Sequence, residues 1–384
     1  MTRAERALKV GYFAYFAAIG VFQPYWPVAL AAHGFVPDAI GLLMAAVSGA
    51  TMRTPLVQER LAARLGDRAR ALGITAALAA ALVPPLALAH QLVPALLLIM
   101  LFSLCVNGLM PVYDAVAVDL LGGGGHRYGR VRLWGSVGYI VASFIVGAAV
   151  AGIGPAIIAF ALCGCLVATA VVCRWLPARR TVAPPVAVLP ARALRGGPGA
   201  WLLVVCFLQL ASFGGYYSFF SLYLQHYGYT GQQIGLYWAL GVLAEIAVFW
   251  AAAPLVRAVP LLVLLEVAIG GTVLRWLLVA AFPHSAGVLA GAQLLHLFGF
   301  GLFHTACVLL APQLIAVGST RALALVSSAG WGAGAVAGSL LAGRLWQLYG
   351  PQSVYLSSAA LALAALVVAE VCLRRRCAVA LAPV

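Results

Sequence analysis

Twelve stretches of about twenty predominantly apolar residues, bounded by charge clusters or Pro/Gly breaks, follow one another along the chain. They lie at approximately 8–32, 37–58, 70–89, 92–120, 130–151, 155–175, 201–225, 232–253, 259–281, 286–316, 322–345 and 353–372. A helix that crosses a bilayer needs about 20 such residues. The stretches are too long and too evenly apolar for barrel strands, which alternate over about ten residues. They predict an all-α polytopic membrane protein with 12 transmembrane helices. Composition agrees, since only 8% of the 384 residues are charged, against about 25% in soluble domains. That excludes a water-soluble enzyme.

The net charge of +14 has two possible meanings, a nucleic-acid face or a membrane topology. Position decides between them. Arg3, Arg6 and Lys9, then Arg60, Arg64, Arg68 and Arg70, then Arg127, Arg130 and Arg132 fall at alternate connections. So do Arg174, Arg179, Arg180, Arg192, Arg195, Arg257, Arg321 and Arg374 to Arg376. The opposite loops, near 33–38, 90, 152–154, 226–231 and 282–286, hold no Lys or Arg. By the positive-inside rule the basic side is cytoplasmic, both termini included. Nucleic acid is not an expected partner. The first basic cluster before an apolar run could mimic a secretory signal, but eleven further spans favour an uncleaved first helix. The eight cysteines lie in or at the ends of spans without metal-ligand spacing and read as small buried fillers.

The longest polar connection is 176–200, LPARRTVAPPVAVLPARALRGGPGA, whose Pro, Gly and Arg content suits an extended linker. It divides the chain into 1–175 and 201–384, six spans each. At an offset of 194, HGFVPDAIGLL (33–43) lies over YGYTGQQIGLY (227–237), pairing Gly34 with Gly228 and Ile40-Gly41 with Ile234-Gly235. A weaker echo pairs Ser136 and Gly138 in span 5 with Ser328 and Gly330 in span 11. Two pseudo-symmetric six-helix bundles related by an axis along the membrane normal are a transporter architecture, with the substrate site near mid-membrane. Gly330, Gly334 and Gly338, with Gly135, Gly138 and Gly147, let helices approach closely. Tight packing accounts for them; a surface that slides during transport is the alternative.

The segments GYFAYFAAIGVFQPYWPVAL, PVYD (111–114) and YGRVRLWGSVGY (128–139), with YYSFFSLYLQHYGY, GLYWALGVLAEI and RWLLVA, resemble the major facilitator superfamily over nearly the whole chain. More narrowly they resemble the bacterial 3-phenylpropionate permease group, relatives of the lactose permease. The resemblance implies the major facilitator fold and proton-coupled symport by alternating access. It further implies a bacterial inner membrane, a monomer, a small-molecule substrate, and the proton gradient in place of any cofactor or metal. The superfamily's gate loop between helices 2 and 3 reads here Ala63-Arg64-Leu65-Gly66-Asp67-Arg68-Ala69-Arg70. Asp67, Arg68 and Arg70 of the acid–base latch are kept, whereas glycines of the pattern are lost.

An ionisable group inside a membrane is costly and is a functional candidate by default. The candidates are Arg53, Asp114, Arg132, Glu245, Glu266, Arg275, His296 and His304. At 1.5 Å per residue, Glu245 is about 13 residues from the outer end of span 8, Arg275 about 16 from the inner end of span 9, and His296 about 10 from the outer end of span 10. All three fall at one depth. The lactose permease carries a similar Glu, Arg and His set on the same helices, which the resemblance extends to these residues. A proton carrier needs a carboxylate that takes a proton when buried alone and yields it when an arginine approaches. Glu245 with Arg275 fits that switch, and His296 is of a type that titrates near neutral pH; a static ion pair is the alternative. Asp114 and Arg132 match a carboxylate and an arginine of the lactose permease that take part in binding, or else form a structural pair joining spans 4 and 5. Glu266 and Arg275, nine apart, lie on opposite faces, so the role of Glu266 stays open, as does that of Arg53. His304 is about 80° around the helix from His296 and reads as a second cavity histidine or a packing residue.

Spans 1 and 7 are rich in aromatic residues, including Tyr12, Tyr15, Phe16, Phe213, Tyr216 and Tyr217, and Gln23, Asn107, Gln209 and Gln293 add neutral hydrogen-bonding groups. Rings that stack and an arginine that grips two oxygens suit a planar aromatic monocarboxylate such as 3-phenylpropionate. A sugar or nucleoside symporter would use the same groups, and drug/proton efflux is a further alternative. Tyr25 and Trp26 read as members of an interfacial aromatic belt. No nucleophile–base set points to an enzyme.

Overall fold

The computed structural model describes residues 3–52, 54–121, 125–177 and 197–380. Arg53 and residues 178–196 of the expected linker lie outside the described residues. The first eight helices are α1 (Arg3–Ala32), α2 (Pro37–Ala50), α3 (Thr54–Leu65), α4 (Arg68–Ala87), α5 (Leu92–Val106), α6 (Leu109–Leu121), α7 (Gly125–Ile153) and α8 (Ala156–Cys173). Then follow α9 (Pro198–His226), α10 (Gly231–Ala258), α11 (Leu261–Ala281), α12 (Ala286–Leu294), α13 (Phe303–Leu314), α14 (Ser319–Ser327), α15 (Ala335–Tyr349), α16 (Pro351–Val368) and α17 (Arg375–Ala380). π-helical turns at Leu297–Leu302, Ser328–Gly334 and Ala369–Arg374 join α12 to α13, α14 to α15 and α16 to α17. No strand occurs among the described residues.

Ten of the described helical runs are long and apolar enough to cross a membrane. The other two expected spans correspond to α2 and α3, which flank Arg53, and to α10, whose 28 residues extend about 42 Å. Span 4 breaks at Asn107–Gly108. There Gln58 of α3 donates to the carbonyl of Cys105 at 3.1 Å and Asn107 to Val47 of α2 at 2.9 Å. A Cβ on Gly108 would collide with the Gln58 side chain. Side chains thus take over backbone bonding where the helix is interrupted, as a membrane interior requires.

By contacts the chain forms two units, Met1–Pro185 with Leu224–Ala239, and Val186–Tyr223 with Leu240–Val384. In the first, α1 packs along α7 and α8, and α4 along α8 and α5. The start of α10 lies on α7: Gly147 and Gly231 meet backbone to backbone, and Tyr25 donates to the carbonyl of Ser143 at 2.6 Å. Tyr25 and Trp26 are buried, not interfacial anchors: Tyr25 fills this helix crossing, and Trp26 stacks on Phe22. In the second unit α11 packs on α16.

The repeat is visible in the packing. Gly34 and Gly228 share a φ of 84°, a conformation that glycine adopts without strain. Gly138 of α7 sits against the backbone of Phe13, and Gly334 against that of Phe207, with Phe13 and Phe207 again 194 apart. The structural counterpart of Gly138 in this packing is thus Gly334, one turn beyond the Gly330 that the sequence echo suggested. Apolar burial gives helices no net attraction in lipid, so close backbone contact supplies the packing energy. Gly138→Leu is expected to destabilise the protein by at least about 1–3 kcal/mol through overpacking, read as a lowered thermal midpoint in detergent. An unchanged midpoint would show that this crossing is not tight.

Candidate functional site

Among the described residues, each unit brings together one group of the candidate charges expected within the membrane. In the first, Tyr12 of α1 donates to Asp114 Oδ1 of α6 at 2.6 Å, and Arg132 Nε of α7 lies 4.0 Å from the same oxygen. The guanidinium lies over the Phe16 ring at 4.1 Å and the Tyr12 ring at 5.7 Å. Tyr12 and Phe16 are one turn apart on α1 and so present a continuous aromatic face. Gly135, almost one turn beyond Arg132, leaves room for this stack; a Cβ there would meet Phe16 Cδ2 at 2.7 Å. Arg132 and Asp114 keep 26% and 28% of their side chains exposed. The cluster is held on one side and open on the other.

In the second unit, Glu245 Oε1 of α10 lies 2.6 Å from His296 Nε2, at the end of α12. His296 Nδ1 lies 2.6 Å from Arg275 Nη1 of α11. Arg275 Nη2 donates to Gln293 Oε1 at 2.9 Å, and Tyr216 of α9 donates to the same oxygen at 3.2 Å. A guanidinium only donates, so Nδ1 of His296 must accept and Nε2 must carry the proton that it gives to Glu245. The imidazole is therefore neutral in this arrangement, and a second proton on it would break the bond to Arg275. Arg275 is fully buried, stacked on Tyr216 at 4.3 Å and near the Trp276 ring at 4.4 Å. The side chain of Glu245 is 18% exposed. A hydrogen-bonded chain thus runs from an accessible carboxylate to a buried cation.

The remaining candidates fall in several places. Gln293 is part of the chain just described, and Gln209 donates to Thr272 at 2.8 Å, with its own carbonyl oxygen unpartnered among the described residues. Tyr15 is buried, with its hydroxyl 3.5 Å from the carbonyl of Val106. Asn107 bonds to α2, as above, and Gln23 is half-buried on α1. His304 is exposed and stacks on Phe300, which stacks on His296, with interplanar angles of 10° and 14°. The two histidines share one face because the π turn after His296 winds fewer degrees per residue and removes much of the rotation of a regular helix. In the gate loop Gly66 turns with φ 69° and Asp67 caps α4 through the Ala69 amide. Arg68 reaches Asp119 at 3.3 Å and Glu59 at 3.5 Å, while Arg70 stands exposed.

Two pairings were out of reach of the sequence reading. Glu266 binds Arg374 in the π turn after α16, with Arg374 Nε donating to Oε1 at 2.9 Å. Tyr12, expected only as one of the aromatic residues of span 1, is the direct partner of Asp114. Their separations of 108 and 102 residues leave no local signal.

The sequence pattern of the MFS_1-like family matches residues 6–357. The chain is 31% identical over 368 residues to the "Probable 3-phenylpropionic acid transporter" of Escherichia coli (strain K12), covering 91% of this chain and 93% of that protein. It is 29% identical over 268 residues to the maltose permease of Geobacillus stearothermophilus, covering 67% and 66%. Among solved structures it is similar to a mutant form of the nucleoside transporter NupG. There the TM-score is 0.84 at 15% identity, over 96% of this chain and 99% of that one.

Proposed function

Because the chain belongs to the MFS_1-like family of major facilitator transporters, we propose that it imports a small aromatic monocarboxylate, 3-phenylpropionate or a near relative, together with protons. As a family member it is a multi-pass membrane transporter of small molecules and not an enzyme. The observation that carries the coupling is the chain Glu245–His296–Arg275, in which a carboxylate with access to the proton balances a buried cation. When Glu245 takes a proton, Arg275 loses its counter-charge, and an unbalanced buried charge costs several kcal/mol. That strain favours rearrangement or the arrival of an anion. The neutral form of His296 makes Glu245 the proton acceptor, with His296 as the hydrogen-bonded link between it and Arg275.

The substrate end of this reading rests on Arg132, since Arg275 is closed in by its own partners. Arg132 offers a half-open guanidinium above Phe16 and beside Tyr12, which suits a carboxylate next to a ring. The name of the Escherichia coli relative points the same way. In this reading the termini face the cytoplasm of a bacterial inner membrane, the proton gradient is the energy source, no cofactor is used, and one chain suffices. Arg68, with Glu59 and Asp119, acts as the latch of the gate loop, to which Asp67 contributes its cap.

Uptake of labelled 3-phenylpropionate into proteoliposomes with an acid exterior tests the proposal. Accumulation should collapse with a protonophore and be competed by unlabelled aryl-propionates. Competition by maltose or nucleosides instead would favour the sugar and nucleoside reading that the other two similar proteins suggest. Accumulation insensitive to the protonophore would remove the proton from the mechanism.

A further inference from the structure

A groove of about 900 Å³ runs along the seam between α4 and α8 in the first unit, lined by no residue of either polar cluster. One wall is Arg70, Gly73, Ile74, Ala77, Ala81 and Pro84, a single helical face at spacings of three and four. The other is Cys163, Val167, Val171 and Arg174. The helices are antiparallel here, since Gly73 lies against Cys173 and the thiol of Cys163 donates to the carbonyl of Ala80. Both arginines therefore stand at one end, and Pro84 and Cys163 at the other. The intervening walls are alkyl, and their small side chains make the depression. Ile74, Val167 and Val171 are each at least a third exposed, so the groove opens on the outside of the helix layer.

Three features select an occupant. From Arg70 to Pro84 the groove spans about 21 Å, close to the roughly 20–22 Å of one leaflet with its headgroup region. Its charge is confined to one end. Arg70 and Arg174 are exposed and have no ion pair or hydrogen bond among the described residues. Among the described lining residues the one carboxylate is Asp67, which caps α4, so two guanidiniums outnumber it at the mouth. Trp175, beside Arg174, is 51% exposed, and an exposed tryptophan at a helix end is an interfacial anchor. Apolar length, a cationic mouth and an interfacial ring at the same level match an amphiphile with one anionic end.

We propose that this groove binds an anionic glycerophospholipid of the leaflet facing Arg70 and Arg174, an acyl chain lying along α4 and α8 and the phosphate held by the two guanidiniums. Guanidinium groups bind phosphate oxygens in a two-pronged manner, and basic recesses between helices on the cytoplasmic side are known headgroup sites. The bound lipid would brace α4 directly after the gate loop that carries Arg68.

Native mass spectrometry of the whole protein, released from detergent with equimolar phosphatidylglycerol and phosphatidylethanolamine, tests this. The wild type should keep one phosphatidylglycerol with at least a fivefold preference. R70Q/R174Q should lose the preference, and Ala77→Phe with Ala81→Phe should lose the lipid while both arginines remain. Thermal midpoints measured with phosphatidylglycerol and with inorganic phosphate separate the lipid from its headgroup. Stabilisation by the lipid alone supports the proposal. Equal stabilisation by phosphate would overturn it, as would equal retention of the two lipids by the wild type or an unchanged preference in R70Q/R174Q.

Discussion

Glu245→Gln is expected to abolish concentrative uptake while leaving exchange of substrate across the membrane intact. Glutamine keeps the size of the side chain and an oxygen that accepts from Nε2 of His296, now 2.6 Å from Glu245 Oε1, but it cannot gain or release a proton. With one proton carried per substrate, a gradient of one pH unit lets the wild type concentrate substrate up to about tenfold, since 1.4 kcal/mol is a factor of ten. The variant should hold the internal and external concentrations equal. Counterflow with preloaded substrate reads exchange separately, so a misfolded variant is recognised by its failure in both assays. The static ion-pair alternative makes the opposite prediction, reduced stability with accumulation preserved. If Glu245→Gln still concentrates substrate, Glu245 is not the coupling acid.

Arg132→Gln should raise the half-saturating concentration of an aryl-propionate by about ten- to a hundredfold, the equivalent of the 1.5–3 kcal/mol of a hydrogen bond to a charged group. Arg132→Lys should recover only part of this. It restores the charge but not the two-pronged grip or the planar stacking, and the guanidinium lies 4.1 Å over Phe16. The neutral analogue 3-phenylpropanol provides the control, because its competition should be unaffected by either substitution. A shift of less than twofold in Arg132→Gln would place the carboxylate elsewhere, and Arg275 would then be the residue to reconsider.

Much of this site was legible in the chain. Counting residues from the span ends put Glu245, Arg275 and His296 at one depth, and the structure links them by bonds of 2.6 Å. Asp114 and Arg132 were likewise paired by proximity of their spans. The order of the bonds was not legible. A direct Glu245–Arg275 switch was expected, yet His296 stands between them, because Arg275 turns toward Gln293 and Tyr216. Glu266 had no visible partner until α11 and the turn after α16 were brought together. The rotation that separates His296 from His304 in a regular helix is altered by a π turn within LFGFGL, a segment whose composition does not announce one.

The sequence by itself determined the spans, the repeat at an offset of 194, the expected orientation and the short inventory of buried charges. These are sums over local properties: hydropathy accumulates along a window, and basic residues are counted loop by loop. Only the tertiary structure decided which charged tips meet, that His296 is the neutral bridge, that Arg132 is open while Arg275 is enclosed, and that α4 and α8 leave a groove between them. Such contacts depend on the rotation of each helix about its axis, and a one-residue change in winding turns a side chain by about 100°. Apolar patterning constrains that rotation weakly in a membrane, where both faces of a helix can be apolar. It is set by where backbones approach at Gly20, Gly138, Gly214 and Gly338, and the polar clusters follow from those contacts.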